Sequence, residues 1–153
     1  MRQRHPFIAF STVALAAALL ACTIASARAD EAKPKPLALR KIMQDMGKSM
    51  QDITDAISRE DWAKVAKVAP LIVSHEQPPV TERVRILGFI GSEAGNFRRH
   101  DEQVQQSAKA LQQAAERGDG SAVISSFAAL QNNCLGCHQR FRQQVVEHFY
   151  EKR

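Results

Sequence analysis

Residues 132–142 read NNCLGCHQRFR. Two cysteines, Cys134 and Cys137, stand three apart, and His138 follows the second at once. Such a group can be a redox dithiol, half of a zinc site or an attachment point for haem. The stretch lies inside an apolar pattern of helical period. Val123, Phe127, Leu130, Cys134, Cys137, Phe141, Val145 and Phe149 recur at steps of three and four. A helix starting near Ser121 is therefore expected to carry the motif well inside its length.

Working back from it, Gly118-Asp119-Gly120 is a turn. A third helix is predicted before it, from Glu82 to Arg117, with room for a bend. Val84, Leu87, Ile90 and Ala94 mark its first inner face, and Phe97, Val104, Ala108, Leu111 and Ala115 continue it. Gly88, Gly91, Ser92 and Gly95 put small residues along it, where another group could approach closely. His75 to Thr81, HEQPPVT, is a break that Pro78 and Pro79 enforce. The second helix is predicted over Arg59–Val73, capped by Ser58, with Pro70 bending it or beginning its last turn. The first runs from Leu37 to Ile57, with Leu39, Ile42, Met46, Met50, Ile53 and Ile57 in one stripe and Met43 at its edge. No strand alternation occurs after residue 36. The fold class is all-α, an antiparallel up-down-up-down four-helix bundle over residues 37–153.

The first 29 residues read as a secretory signal peptide. Arg2 and Arg4 open it, an apolar run spans Phe7 to Ala21, and Ala27-Arg28-Ala29 suits cleavage. The run is roughly 15 residues, short of the roughly 20 that cross a bilayer, so no membrane span is expected. Leu19-Leu20-Ala21-Cys22 also fits a lipid-attachment signal, which would make Cys22 a lipid anchor; the adopted cut is after Ala29. Residues 30–36, DEAKPKP, form a flexible leader. Removing Arg2, Arg4 and Arg28 leaves 18 basic residues against 16 acidic. That balance, with no basic run interleaved with aromatics, does not point to nucleic acid. Export favours an oxidising, periplasmic setting, in which a bare cysteine pair forms a disulfide unless something else takes the sulfurs.

One C-x-x-C plus His138 is an incomplete zinc set, since Cys137 and His138 are neighbours that rarely close on one ion. A redox dithiol belongs at a helix N-terminus after a strand, where the dipole lowers a thiol pKa. This pair lies about four turns inside a helix. Haem attachment fits: an i,i+3 pair presents two sulfurs on one side of a helix for two thioether bonds. His138 then reaches the iron as proximal ligand.

Cys134, Cys137, His138, Phe141 and Arg142 together resemble the terminal C-x-x-C-H-x-x-[FY]-[RK] of the cytochrome c′ superfamily. RGDGSAV, residues 117–123, is similar to that family's turn into its haem helix. The resemblance implies a four-helix bundle, one covalent haem c near one end, often a homodimer, and a role in electron transfer or gas binding. It carries the site over to Cys134, Cys137 and His138 only; Arg142 reads either as the family's basic residue beside the proximal histidine or as a solvated helix arginine. The short first connection and SHEQPP, residues 74–79, depart from the family pattern.

An antiparallel order puts the end of the fourth helix beside the start of the first and the loop after the second. The haem is expected near Leu39 to Met46 and His75 to Pro79. Some relatives leave the sixth iron site open and others fill it with a methionine from the first helix. Met43, four residues before Gly47, is similar to the methionine-ligated pattern; Met46 is the second choice and Met50 the third. His75 is a further option, read first as a loop histidine. His100 and His148 are read as surface residues. The expectation is an exported mono-haem cytochrome, not an enzyme, transferring one electron through a His/Met iron to a periplasmic redox partner protein. The alternatives are a five-coordinate haem that binds NO or CO, and a haem-free bundle closed by a Cys134–Cys137 disulfide.

Overall fold

The computed structural model describes residues 36–150. The expected signal peptide, Cys22 within it, and residues 30–35 of the leader lie outside the described residues, as do 151–153. The elements are α1 (Ala38–Ser58), α2 (Trp62–Val73), α3 (Val80–Ile90), a 3-10 turn (Gly91–Glu93), α4 (Ala94–Glu116), α5 (Gly120–Cys137), a π turn (His138–Arg142) and α6 (Gln143–Phe149). The fold is a four-helix bundle of α1, α2, α4 and α5, with α6 extending the last helix. No described helix is long and apolar enough to cross a membrane.

The bundle follows from the apolar stripes. α2 packs against α1 and α4, and α4 against α5. The main core takes Ile53 and Ala56 from α1, and Val65, Ala69 and Ile72 from α2. Ala108 and Leu111 come from α4, and Val123 and Leu130 from α5. Ile53, Ile72, Leu111 and Leu130 are fully buried, each worth about 1.5–3 kcal/mol. A second, smaller cluster joins Leu37, Ile86, Ile90 and Phe141, with Phe97, Phe149 and Tyr150 against it. It closes the end of the bundle where the chain enters α1. Glu82 fastens it, accepting the Ala38 backbone N–H at 2.7 Å at the start of α1.

Three boundaries differ from the sequence reading. α1 runs through Ser58, whose hydroxyl donates back to the Asp55 carbonyl at 2.8 Å and so is not available as a cap. α2 starts at Trp62 instead, capped by Asp61, whose carboxylate accepts the Lys64 N–H at 2.9 Å. Pro70 begins the last turn of α2, where the Ser74 N–H and hydroxyl both donate to its carbonyl. The third predicted helix is two helices. Gly91 takes φ +61° and ends α3, a conformation that glycine adopts without a Cβ penalty. That break rotates the inner face of α3, so Ile86 and Ile90 are buried while Val84 is 66 % exposed. A Cβ on Gly88, Gly91 or Gly95 would meet nothing within 4 Å, so no described residue approaches these glycines closely. The α4–α5 turn is as expected, with Gly118 at φ +67° and the Asp119 carboxylate accepting the Ala122 N–H at 3.0 Å.

Candidate functional site

Between the main core and the end cluster lies a cavity of about 390 Å³, within the range of small-molecule and cofactor sites. Cys134 and Cys137 reach it from α5 and His138 from the π turn. Ile42, Met43 and Met46 reach it from α1, Ile86 and Leu87 from α3, and Phe97 and Val104 from α4; His75 to Pro78 form its loop wall. The antiparallel order thus brings the start of α1, the loop after α2 and the cysteine motif together, as the sequence predicts. A second cavity of about 320 Å³ shares Met43, Met46, Cys134 and His138 with it and adds Gly47, Met50 and Ile72. The seam between α1 and α5 is therefore open along the stretch that carries the motif and the methionines.

The cysteines are both free thiols, half-buried, and not joined to each other. Burial pushes the Cys134 thiol above its ordinary value. Cys137 is pushed up to about 11, by burial first and then by the charges of Asp101 and Cys134. A dithiol that works by redox exchange needs its thiolate near neutral pH, so this environment opposes that chemistry. Burial, and then the Arg142 guanidinium, push the His138 imidazole below its usual value, which keeps a ring nitrogen lone pair available. Arg142 itself is exposed at the end of the π turn. π turns recur at functional sites, and nothing in the sequence announces this one.

The three methionines differ in environment. Met46 and Met50 are half-buried and pack against the main core, whereas Met43 is 39 % exposed and belongs to neither cluster. His75 lines the cavity, but both ring nitrogens are engaged. Nδ1 lies 2.9 Å from the Ile72 carbonyl oxygen and Nε2 lies 3.2 Å from Asp101 Oδ1. His100, expected at the surface, turns inward instead. It lines the cavity, its ring lies edge-on to Phe141, and its Nδ1 is buried without a hydrogen-bond partner among the described residues. The signal was there, since position 100 falls between Phe97 and Val104 on the inner stripe of α4. His148 is exposed, as expected, and stacks on Phe89.

The residues present fit a c-type haem. Two neutral sulfurs project from one helix side, an imidazole follows, a thioether side chain opens on the same space, and the walls are mainly apolar. Searches of curated proteins and of solved structures returned no match. The family model described as Cytochrome C′ matches residues 37–142. That span runs from the entry to α1 through the cysteine motif to Arg142, and on this ground the chain belongs to the cytochrome c′ family of c-type haem proteins.

Proposed function

We propose that the protein is an exported mono-haem cytochrome that carries one electron at a time through an iron held by His138 and Met43. The observation that carries this reading is the position of Met43. It is exposed to the cavity that also receives Cys134, Cys137 and His138, and it serves neither apolar cluster. Core filling is the ordinary use of a methionine, and it describes Met46 and Met50 better. Met46, one turn along, is the second choice as ligand.

In this reading Cys134 and Cys137 hold the haem as thioethers and His138 is its proximal ligand. Bound there, the haem supplies a one-electron iron couple, and a methionine sulfur as sixth ligand raises its potential. The remaining roles belong to the chain. Arg142 favours the neutral imidazole of His138. Ile42, Ile86, Phe97 and Val104 keep the space apolar and exclude water. Processing after Ala29 would deliver the protein to the periplasm, where the partner is a redox protein; a homodimer is the assembly to look for. No nucleophile or carboxylate pair is assigned a catalytic task, and the role is that of a carrier.

A second reading has its own support. Leu39 and Ile42 of α1 line the same cavity with apolar side chains that offer no ligand. Should one of these face the iron, the haem would be five-coordinate and would bind NO or CO. Mass spectrometry of the mature protein, produced with a haem-attachment system, should give the polypeptide plus one haem that survives denaturation. A bare-chain mass would overturn the assignment of Cys134 and Cys137. The optical spectrum of the reduced protein with and without CO then separates the two readings.

A further inference from the structure

His75 has no part in the reading above, yet its side chain is only 7 % exposed in the cavity wall. Its Nδ1 lies 2.9 Å from the Ile72 carbonyl oxygen. That oxygen only accepts, so Nδ1 holds a proton and donates. Nε2 faces two groups of opposite kind, Asp101 Oδ1 at 3.2 Å and Gln77 Nε2 at 3.3 Å. A carboxylate accepts from a protonated Nε2, and an amide N–H donates to an unprotonated one. The ring therefore has a full set of partners in both charge states, and neither state requires the chain to move. Histidine is the side chain whose charge ordinarily changes near neutral pH.

The surroundings set where that change falls. The hydrogen bond to Asp101 raises the His75 pKa, burial opposes it, and the Ile72 carbonyl and the Asp101 charge add to the rise. The other charged or titratable groups on this cavity are Glu76 on the same loop, Arg83 on α3, Arg98 and His100 on α4, His138 in the π turn, and the thiols of Cys134 and Cys137 on α5, which thioether bonds would consume. Only Asp101 among the ionisable groups hydrogen-bonds the His75 ring among the described residues.

We infer that His75 is a redox-linked proton site. As one electron arrives in the cavity from a donor protein, Nε2 takes one proton from solvent, and both depart together when the electron is passed on. The cause is electrostatic. An added electron makes the cavity more negative by one charge, and in a weakly polar interior a nearby imidazolium becomes more favourable. Linkage is reciprocal, so the protonated ring raises the reduction potential by the same free energy. The inference rests on the haem-bearing reading but not on the choice between Met43, Met46 and an open sixth site.

The test is a redox titration of the mature holoprotein over about pH 5 to about pH 9, which spans the histidine range. The potential should fall with rising pH in one window above the ordinary histidine value and be level on both sides. A tenfold difference in proton affinity between the oxidised and reduced forms corresponds to about 59 mV between the two levels. His75→Gln should give a level profile. Asp101→Asn should move the window to lower pH and Gln77→Leu to higher pH, which tests the assignment even if one variant does not fold. NMR of the His75 ring should show a higher pKa in the reduced protein than in the oxidised. A level wild-type profile, a window that survives in His75→Gln, or equal His75 pKa values in the two oxidation states would overturn the proton site and leave the cytochrome reading standing. A mature protein without haem would overturn both.

Discussion

Replacing Met43 with alanine separates a ligand from a packing residue. Truncating a fully buried methionine costs about 2–5 kcal/mol through lost transfer energy and the cavity left behind. Met43 is 39 % exposed and lies outside both apolar clusters, so the packing loss should be at most about 1 kcal/mol, below the fully buried range. Met50→Ala, on a half-buried side chain against the main core, should cost more, about 2 kcal/mol at the low end of that range. The spectra should rank the two in the opposite order. With Met43 as sixth ligand, the wild-type reduced protein is low-spin, and CO must displace a thioether, so uptake is slow or weak. Met43→Ala should turn the reduced spectrum high-spin, speed CO binding and lower the potential, because a thioether ligand raises it. Met50→Ala should leave spin state and CO kinetics as in wild type. Thermal unfolding, optical spectra and flash photolysis of the CO complex read these quantities on one set of samples. If Met46→Ala converts the spin state and Met43→Ala does not, the ligand lies one turn along α1 and the carrier reading survives. If the wild-type reduced protein is already high-spin and takes up CO readily, no methionine is bound, and gas binding replaces electron transfer.

Other substitutions test the fold. Leu111 is fully buried in the main core, so Leu111→Ala should cost about 2–5 kcal/mol in denaturant unfolding, with an unchanged slope. Asp61→Ala removes the cap of α2 and should cost about 1 kcal/mol, whereas Ser58→Ala, in the exposed last turn of α1, should stay within about 0.5 kcal/mol of wild type; the reverse order would restore Ser58 as the cap. Gly88 is exposed inside α3, and a Cβ there meets nothing within 4 Å, so Gly88→Ala should stabilise by about 0.5–1 kcal/mol. The raised pKa of His75 gives a contribution that is complete below its ordinary value of 6.5 and is lost as pH rises through the folded value. Melting temperatures should therefore fall across that window in wild type relative to His75→Gln, and parallel curves would deny the His75–Asp101 pair any role in stability.

The stripes of α1, α4 and α5 were legible because each buries one face in the main core, and the sequence period of 3.6 reports that directly. Ile53, Leu111 and Leu130 were expected in the core and are fully buried there. The α3 segment was read correctly only in part. Val84, Leu87 and Ile90 recur at helical spacing and Ile90 enters the end cluster as expected, but Val84 faces the cavity at 66 % exposure and Ile86 is buried beside Ile90 instead. Periodicity tells that a face is apolar; it does not tell whether protein or a cofactor covers it. His100 shows the converse, since its polarity suggested solvent although its place on the stripe set it inward. The Asp61 cap lost to Ser58 in the reading because both are good capping residues and only the extra turn of α1 decides between them. Asp101 and Gln77 escaped notice because their meeting at His75 joins the loop to α4, a contact that no local pattern encodes.

The site depends on one end of the bundle being unlike the other. In the main core, α1, α2, α4 and α5 meet through fully buried Ile53, Ile72, Leu111 and Leu130. Towards the entry of α1, the space between helices widens, and α3 closes the end from outside. α3 is tied there by the Glu82 carboxylate on the Ala38 N–H, the Arg85 guanidinium over the Phe149 ring, the Phe89 ring against His148 and Phe149, and the burial of Ile86 and Ile90. Val80, Val84 and Met43 meanwhile present apolar surface to the cavity. Exposed apolar area costs about 25 cal/mol per Å² in water, so a large apolar group seated against these three side chains would add to the hold on α3 as well as fill the site. Covalent attachment through Cys134 and Cys137 suits this arrangement, because α5 and α4 are anchored in the main core while α3 is not. The group would be fixed to the rigid side of the cavity and α3 would close against it, already packed through Ile86 and Ile90 on Phe141 of the π turn that carries His138.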